Sequence, residues 1–198
     1  AFDVVLEETA RHASGLGPGF RGRVIAPGAD DYDRARRVHN AAVDRHPDLI
    51  VRPTDADDVA LVVAHAQEHG LPLVIRAGGH SMAGHGTGDG ALLLDLSDMR
   101  AVEIDAAGRT AWADAGILAG EYTSATHAHD LVTPFGDTGS VGVAGITLGG
   151  GVGWLVRKHG MTIDSLLAAE IVTADGRPVA ARAQRPAVDA RPPSQERK

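Results

Sequence analysis

Glycine-rich segments limit the possible folds of this chain more than any other feature of the sequence. The apolar run 71–77 is followed by six glycines between residues 78 and 90, and a second glycine-rich segment covers residues 139–153. Glycine lets the backbone adopt left-handed φ values and approach a ligand closely, so both segments are predicted to be loops. Backbone N–H groups in such loops can surround an anion, particularly a phosphate. The two segments therefore favour a phosphate-bearing ligand, and tight turns without a ligand are the alternative interpretation.

The common nucleotide-binding motifs are absent from both segments. Neither contains G-x-x-x-x-G-K-[ST], and neither contains G-x-G-x-x-G, because Trp-Leu-Val follows the glycines at 151 and 153. A nucleotide would therefore not be held as in a P-loop or in an ordinary Rossmann fold.

The rest of the chain predicts a mixture of helices, strands and hairpins. Helices are predicted over 1–14, 30–46, 55–69 and 117–130, strands over 48–53, 71–77 and 91–97, and hairpins over 101–116 and 168–181. Helix 55–69 is the best marked, with Thr54 as its cap, Asp57 completing a capping box and Gly70 after its end. Its apolar stripe consists of Val59, Val62, Val63 and Ala66. Helices combined with antiparallel hairpins predict the α+β class.

Composition excludes several classes of function. The chain has no cysteine, so it forms no disulfide, thiolate nucleophile or cysteine metal site. Its 26 acidic and 19 basic residues give a net charge of −7, which argues against nucleic acid as the main partner. No apolar run approaches the roughly 18 residues of a membrane span. No signal peptide is visible at the start, so a cytoplasmic location is expected.

His80 is the candidate reactive residue of the first glycine-rich segment, and its position allows three interpretations. It could be a loop histidine bonded to the backbone, or a metal ligand together with His85 or with the pair His127 and His129. No acidic residue is suitably spaced for a metal site, so no metal is predicted. A neutral imidazole is also a competent nucleophile that could bond covalently to a cofactor. Spacing alone does not choose among these interpretations.

Two long motifs carry a resemblance to a known family. "RAGGHSMAGHGTGDG" followed by "LLLDLSDMR", and "TPFGDTGSVGVAGITLGGGVGWLVRKHGMTIDSLLAAEIVTADG", resemble the two flavin-contacting segments of PCMH-type, vanillyl-alcohol-oxidase-like flavoproteins. Within these, the chain looks most like the berberine-bridge-enzyme-like FAD-linked oxidases. The likeness covers about residues 20–179. It implies a PCMH-type FAD-binding domain built from two α/β subdomains.

The resemblance implies a role for His80 and for the glycines. In such proteins the histidine of R-x-G-G-H is bonded to the 8α-methyl group of FAD, which places a covalent FAD on His80. A second link, through cysteine, is impossible here because Thr138 stands at that position. Besides His80 at the covalent link, the implied cofactor-binding residues are Arg76, Ala77, Gly78, Gly79 and Ser81 around the pyrophosphate, Gly142, Gly145, Thr147, Gly149, Gly150 and Gly153 along the flavin and ribityl phosphate, and Ile171 and Val172 near the adenine.

The resemblance also implies an oxidase reaction, in which a small-molecule substrate gives hydride to FAD and O₂ reoxidises it. No catalytic base is assigned, because neither Tyr32 nor Tyr122 lies in a base motif of the family. The predicted organisation is an N-terminal extension (1–19), the FAD-binding domain (20–180, in subdomains 20–90 and 91–180) and a disordered tail (181–198). The substrate domain of the family is expected to be missing. A truncated, inactive flavin-binding fragment is therefore one alternative, and a sugar- or nucleotide-binding protein without flavin is another.

Overall fold

The computed structural model describes residues 15–183. The strands are β1 (Arg23–Ile25), β2 (Leu49–Arg52), β3 (Leu73–Arg76), β4 (Leu92–Asp95), β5 (Val102–Asp105), β6 (Thr110–Ala113), β7 (Ala168–Val172) and β8 (Pro178–Arg182). The helices are α1 (Tyr32–Ala35), α2 (Ala56–Glu68), α3 (Ala119–His127), α4 (Val143–Leu148) and α5 (Val156–His159), with 3-10 turns at Leu96–Asp98 and Thr162–Ser165. The mixture of helices, a parallel sheet and antiparallel hairpins confirms the predicted α+β class.

The central sheet has four strands in the order β1-β2-β4-β3. Strands β2, β4 and β3 are parallel, and β1 pairs antiparallel with β2. The predicted subdomain boundary at 90/91 is therefore wrong, because β4 lies between β2 and β3. A strand as apolar throughout as Leu92–Leu94 is typical of the interior of a parallel sheet, where both faces are covered.

The core lies on both sides of β2 and β4. One cluster joins Leu49, Val51, Leu92 and Leu94 to one face of α2, and the other joins Ile50 and Leu93 to Tyr32. Alternate residues of each strand point to opposite faces, so both faces of these strands are buried. The well-packed sheet thus supports the loops that follow the ends of its strands.

Helix α2 has the predicted apolar stripe and the predicted Gly70 after its end, at φ +64°. Its cap differs by one residue from the prediction, because Asp55 accepts the Asp58 N–H at 3.0 Å. The carboxylate of Asp58 in turn accepts from the backbone and hydroxyl of Thr54, at 2.9 and 2.7 Å. Thr54 thus donates to Asp58, in the first turn of the helix, instead of serving as the cap.

The helix predicted over 30–46 is wrong in length, since only Tyr32–Ala35 is helical. The guanidinium of Arg76 donates to the carbonyl of Ala35 and, at 3.1 Å, to that of Arg37. Those carbonyls are therefore used by a tertiary contact, and the chain continues as a loop. Both hairpins confirm the prediction, with Gly176 at φ +74° in the second turn.

Two predictions concern the ends of the chain. The helix over 1–14 lies outside the described residues. Most of the tail predicted over 181–198 also lies outside the described residues. Of its three described residues, 181–183, the first two complete β8. Among the helices of residues 15–183, none is long and apolar enough to cross a membrane.

Candidate functional site

The two glycine-rich segments meet each other directly beside the central sheet. A Cβ on Gly78 would lie 2.2 Å from the backbone nitrogen of Gly142, and a Cβ on Gly142 would lie 2.4 Å from that of Gly78. Gly78 belongs to the loop after the carboxyl end of β3, where ligands of open α/β sheets commonly bind. Glycine is required at both positions because the backbones pass closer than any side chain allows. The structure thus brings the two predicted ligand segments together.

Four successive backbone N–H groups of the first segment lack a hydrogen-bond acceptor within the described part of the chain. Gly78, Gly79, His80 and Ser81 donate no backbone hydrogen bond to any described residue. Gly79 adopts φ +68°, and a left-handed residue in such a loop can turn successive N–H groups toward one side. Such a run of N–H groups is the kind of concavity that binds phosphate. It lies where the sequence predicted the pyrophosphate contacts.

His80 occupies a defined position between the two segments. Its Nε2 lies 3.0 Å from the hydroxyl oxygen of Ser140, and its ring stacks on that of His39 with centroids 4.0 Å apart and planes inclined by 17°. Nδ1 of His80 forms no hydrogen bond with the described residues. Partial burial, assisted by the charge of His39, lowers the pKa of His80 below its usual value. A neutral imidazole with one free nitrogen can act as a nucleophile.

The side chain of Arg76 is buried and binds to groups in the interior of the protein. It is 6% exposed and forms an ion pair with Asp95 at 2.9 Å, and Asp95 also accepts from Arg52 at 2.8 Å. These residues end β3, β4 and β2, respectively. Burial raises the pKa of Asp95, but hydrogen bonds and charges from both arginines outweigh it, and the net pKa is lowered. The carboxylate is thus held ionised between two guanidinium groups at the base of the first segment.

The second glycine-rich segment is partly helical, so its prediction as a loop throughout is wrong for α4. Several of its glycines are required by the fold itself. Gly150 and Gly151 have φ values of +94° and +73°, and a Cβ on Gly153 would lie 1.8 Å from the carbonyl oxygen of Phe135. Gly145 differs, because a Cβ there would meet nothing within 4 Å and the residue is exposed inside α4. Since glycine weakens a helix, Gly145 is the position in this segment that calls for a reason outside the described chain.

The remaining predicted site residues have mixed surroundings. The Ser81 hydroxyl accepts the His85 N–H at 3.3 Å, and the Thr147 hydroxyl donates to the carbonyl of Val143 at 2.7 Å. Ala77 lies at the contact between the segments, since a Cβ added to Gly142 would be 3.0 Å from the Cβ of Ala77. Gly149 ends α4. Val172 packs on the core cluster that contains one face of α2.

Sequence reasoning did not single out His39, Ser140 or Asp95. Asp95 could have been recognised from the sequence, because it is the one charged residue in the apolar run 91–97. His39 and Ser140 could not, since their partner His80 is distant in the chain. His85, in the same segment as His80, is exposed. Within residues 15–183, no group of three His, Asp or Glu side chains is arranged to hold a metal ion.

Comparison with known proteins places this geometry among flavoproteins. Residues 47–182 match a family model described as FAD binding domain. The chain is 36% identical over 157 residues to (R)-6-hydroxynicotine oxidase of Paenarthrobacter nicotinovorans, covering 79% of this chain and 34% of that protein. It is 34% identical to Berberine bridge enzyme-like 8 of Arabidopsis thaliana, covering 66% of this chain and 26% of that protein.

Solved structures agree with the sequence comparisons. The crystal structure of 6-hydroxy-D-nicotine oxidase from Arthrobacter nicotinovorans superimposes with a TM-score of 0.83 at 34% identity, covering 86% of this chain and 37% of that one. Physcomitrella patens BBE-like 1 gives a TM-score of 0.80 at 33% identity. The chain thus spans about a third of the length of the proteins that it matches.

Proposed function

Because the chain belongs to the FAD binding domain family, we propose that it forms the flavin-binding part of an FAD-dependent oxidase, with FAD linked covalently to His80. The match to the family model and to its relatives confirms the family that the two motifs predicted. The observation that carries the proposal is the run of four unbonded N–H groups from Gly78 to Ser81, with His80 among them. Oxidase activity, the substrate and the covalent link are parts of the proposal.

The residues present fit FAD in three ways. The N–H run suits a pyrophosphate, which carries negative charge and many acceptor oxygens. The free Nδ1 of a neutral His80 suits attachment, since Nε2 is engaged by Ser140. The second segment and the residue that follows it also expose large apolar side chains, among them Leu148 at 83% and Trp154 at 85%. Apolar surface of this kind is usually covered by a ligand or another part of a protein.

Covalent attachment would replace one C–H bond of the 8α-methyl group by a C–N bond to the imidazole. Once Nδ1 carries the new bond, the imidazole loses its proton from Nε2, and the two electrons and two hydrogens released in total reduce O₂ to H₂O₂. His80 must have an unprotonated nitrogen for this step, which its lowered pKa favours at neutral pH.

When bound, FAD supplies the redox chemistry, accepting hydride from a substrate and passing electrons to O₂. The role of the described residues is to hold it. Gly78 and Gly142 keep the two segments together, the N–H groups neutralise phosphate charge, and His80 prevents dissociation. The substrate is a small molecule.

The proposal is tested by loading the full chain with FAD and precipitating it with acid. The wild type is expected to stay yellow and to gain the mass of one FAD. His80→Ala should lose the adduct, whereas His85→Ala should keep it, because His85 is exposed in the same loop. A covalent flavin surviving in His80→Ala would falsify the assignment.

A second candidate is a domain that binds FAD without turning over substrate. An H₂O₂ assay across amine, alcohol and sugar substrates distinguishes the two, since only the oxidase forms peroxide. A colourless protein after incubation with FAD would instead support a flavin-free binding function.

A further inference from the structure

The two stacked histidines come from loops that are tied together on both sides of the contact. The backbone N–H of His39 donates to the carbonyl of Gly79 at 3.1 Å, directly before His80. Next to His39, the Asn40 side chain donates to the carbonyl of Met82 at 3.0 Å, directly beyond Ser81. The stacked pair therefore lies between two cross-links of its loops.

The position of His39 is also set from the interior. Buried Arg76 donates to the carbonyls of Ala35 and Arg37, and its own position is fixed by Asp95. The same side chain packs beneath Gly79, whose added Cβ would lie 3.3 Å from the Cδ of Arg76. One buried arginine thus places both the loop of His39 and the loop of His80.

Two different restraints act on the His80 ring. Stacking on His39 restricts the plane of the imidazole, because near-parallel rings 4.0 Å apart leave little room for rotation about the side-chain bonds. The contact with Ser140 restricts which nitrogen points toward the second segment. Together they determine which nitrogen remains open for reaction.

We propose that His39 is a positioning residue for flavin attachment, whose stacked ring holds His80 with Nε2–H donating to Ser140 and with the Nδ1 lone pair free. This inference rests on the proposed function, since it concerns the same attachment to His80. His39 needs no direct contact with the flavin. Its effect is on the orientation of the nucleophile, because reactions at a fixed centre depend strongly on the angle and distance of approach.

The first experiment measures the rate at which the full-length apo chain gains the mass of FAD. His39→Ala removes the stacked ring and is expected to slow attachment about tenfold, near the upper limit for loss of one stacked pair. His39→Phe keeps a flat ring and is expected to restore the rate to within about threefold of wild type. His85→Ala serves as the matched control, with the wild-type rate.

The second experiment observes His80 without flavin, by long-range ¹H–¹⁵N spectra of the histidine side chains in the full chain. The His80 signals are identified by their loss in His80→Gln. Wild type and His39→Phe are expected to carry the proton on Nε2, whereas His39→Ala and Ser140→Ala should show averaging of the two tautomers. A merely structural role of His39 would leave this signature unchanged in the alanine variant.

The outcomes separate this inference from the proposed function. If the wild type attaches flavin, and His39→Ala does so at the same rate with an unchanged tautomer, the positioning role is overturned and the oxidase proposal stands. A proton on Nδ1 in the wild type also overturns it. If no wild-type protein gains covalent flavin, both proposals are wrong.

Discussion

Gly78 and Gly142 are in backbone contact, so close that neither can carry a side chain: an added Cβ on Gly78 would lie 2.2 Å from the nitrogen of Gly142. This single contact joins the loop after β3 to the start of α4. It brings the unbonded N–H groups of the first segment next to the start of α4 in the second segment.

Gly78→Ala is expected to separate the two segments, because the methyl group overlaps backbone atoms that cannot move independently. Overpacking of this kind costs about 1–3 kcal/mol. The free energy of unfolding in urea should fall by that amount, and FAD binding should weaken with it. Gly145→Ala is the control for the unfolding measurement, since its methyl group meets no protein atom within 4 Å.

Gly145→Ala is expected to affect stability and cofactor binding in opposite directions. Alanine strengthens a helix by roughly 0.5–1 kcal/mol relative to glycine, so the apo protein should become more stable. The same methyl group would project into the space proposed for the flavin, so retention of FAD should fall. Titration with FAD and urea unfolding of the same preparation check both effects. Wild-type affinity in this variant would show that α4 does not face the flavin.

Asp95→Asn is expected to destabilise the protein by about 3–5 kcal/mol, because it leaves Arg52 and Arg76 without their shared carboxylate. Asp98→Asn is the matched control. Asp98 lies 3.9 Å from Arg52 with 43% of its side chain exposed, and exposed pairs contribute about 0–1 kcal/mol. Equal losses in urea unfolding of the two variants would contradict the role given to Asp95.

The contribution of Asp95 to the free energy of unfolding is expected to depend on pH in the acidic range. The pKa of Asp95 is lowered in the folded protein, so its contribution is present above the unfolded value of about 3.9 and is lost as pH falls through the lower folded value. Asp58, whose pKa is also lowered, acts in the same direction. Unfolding free energies measured across acidic pH should decline less steeply in Asp95→Asn than in wild type.

Flavin attachment is expected to depend on the protonation of His80. Only the neutral imidazole is a nucleophile, and the pKa of His80 is lowered from a usual value of about 6.5. The attachment rate should therefore be constant at neutral pH and fall only below pH ~6.5, by up to tenfold per pH unit. Mass spectrometry of timed samples measures it. A midpoint above the ordinary histidine value would contradict a neutral, partly buried His80.

The sequence by itself determined the local elements and the identity of the two ligand segments. Apolar runs specified β2, β3 and β4, the spacing of Val62, Val63 and Ala66 specified α2, and Asp175–Gly176 specified a hairpin turn. These follow from neighbours in the chain, through backbone propensity and the burial of one face. The two glycine-rich motifs likewise sufficed for the family.

Tertiary structure decided what lies between distant segments. The carbonyls of Ala35 and Arg37 bond to Arg76, which ends α1 early, and β4 enters the sheet between β2 and β3. His80 acquires its stacked partner His39 and its bonded partner Ser140 only when three loops converge. Local propensity contains no term for such contacts, because their free energy depends on which surfaces the completed sheet brings within a few ångströms of one another.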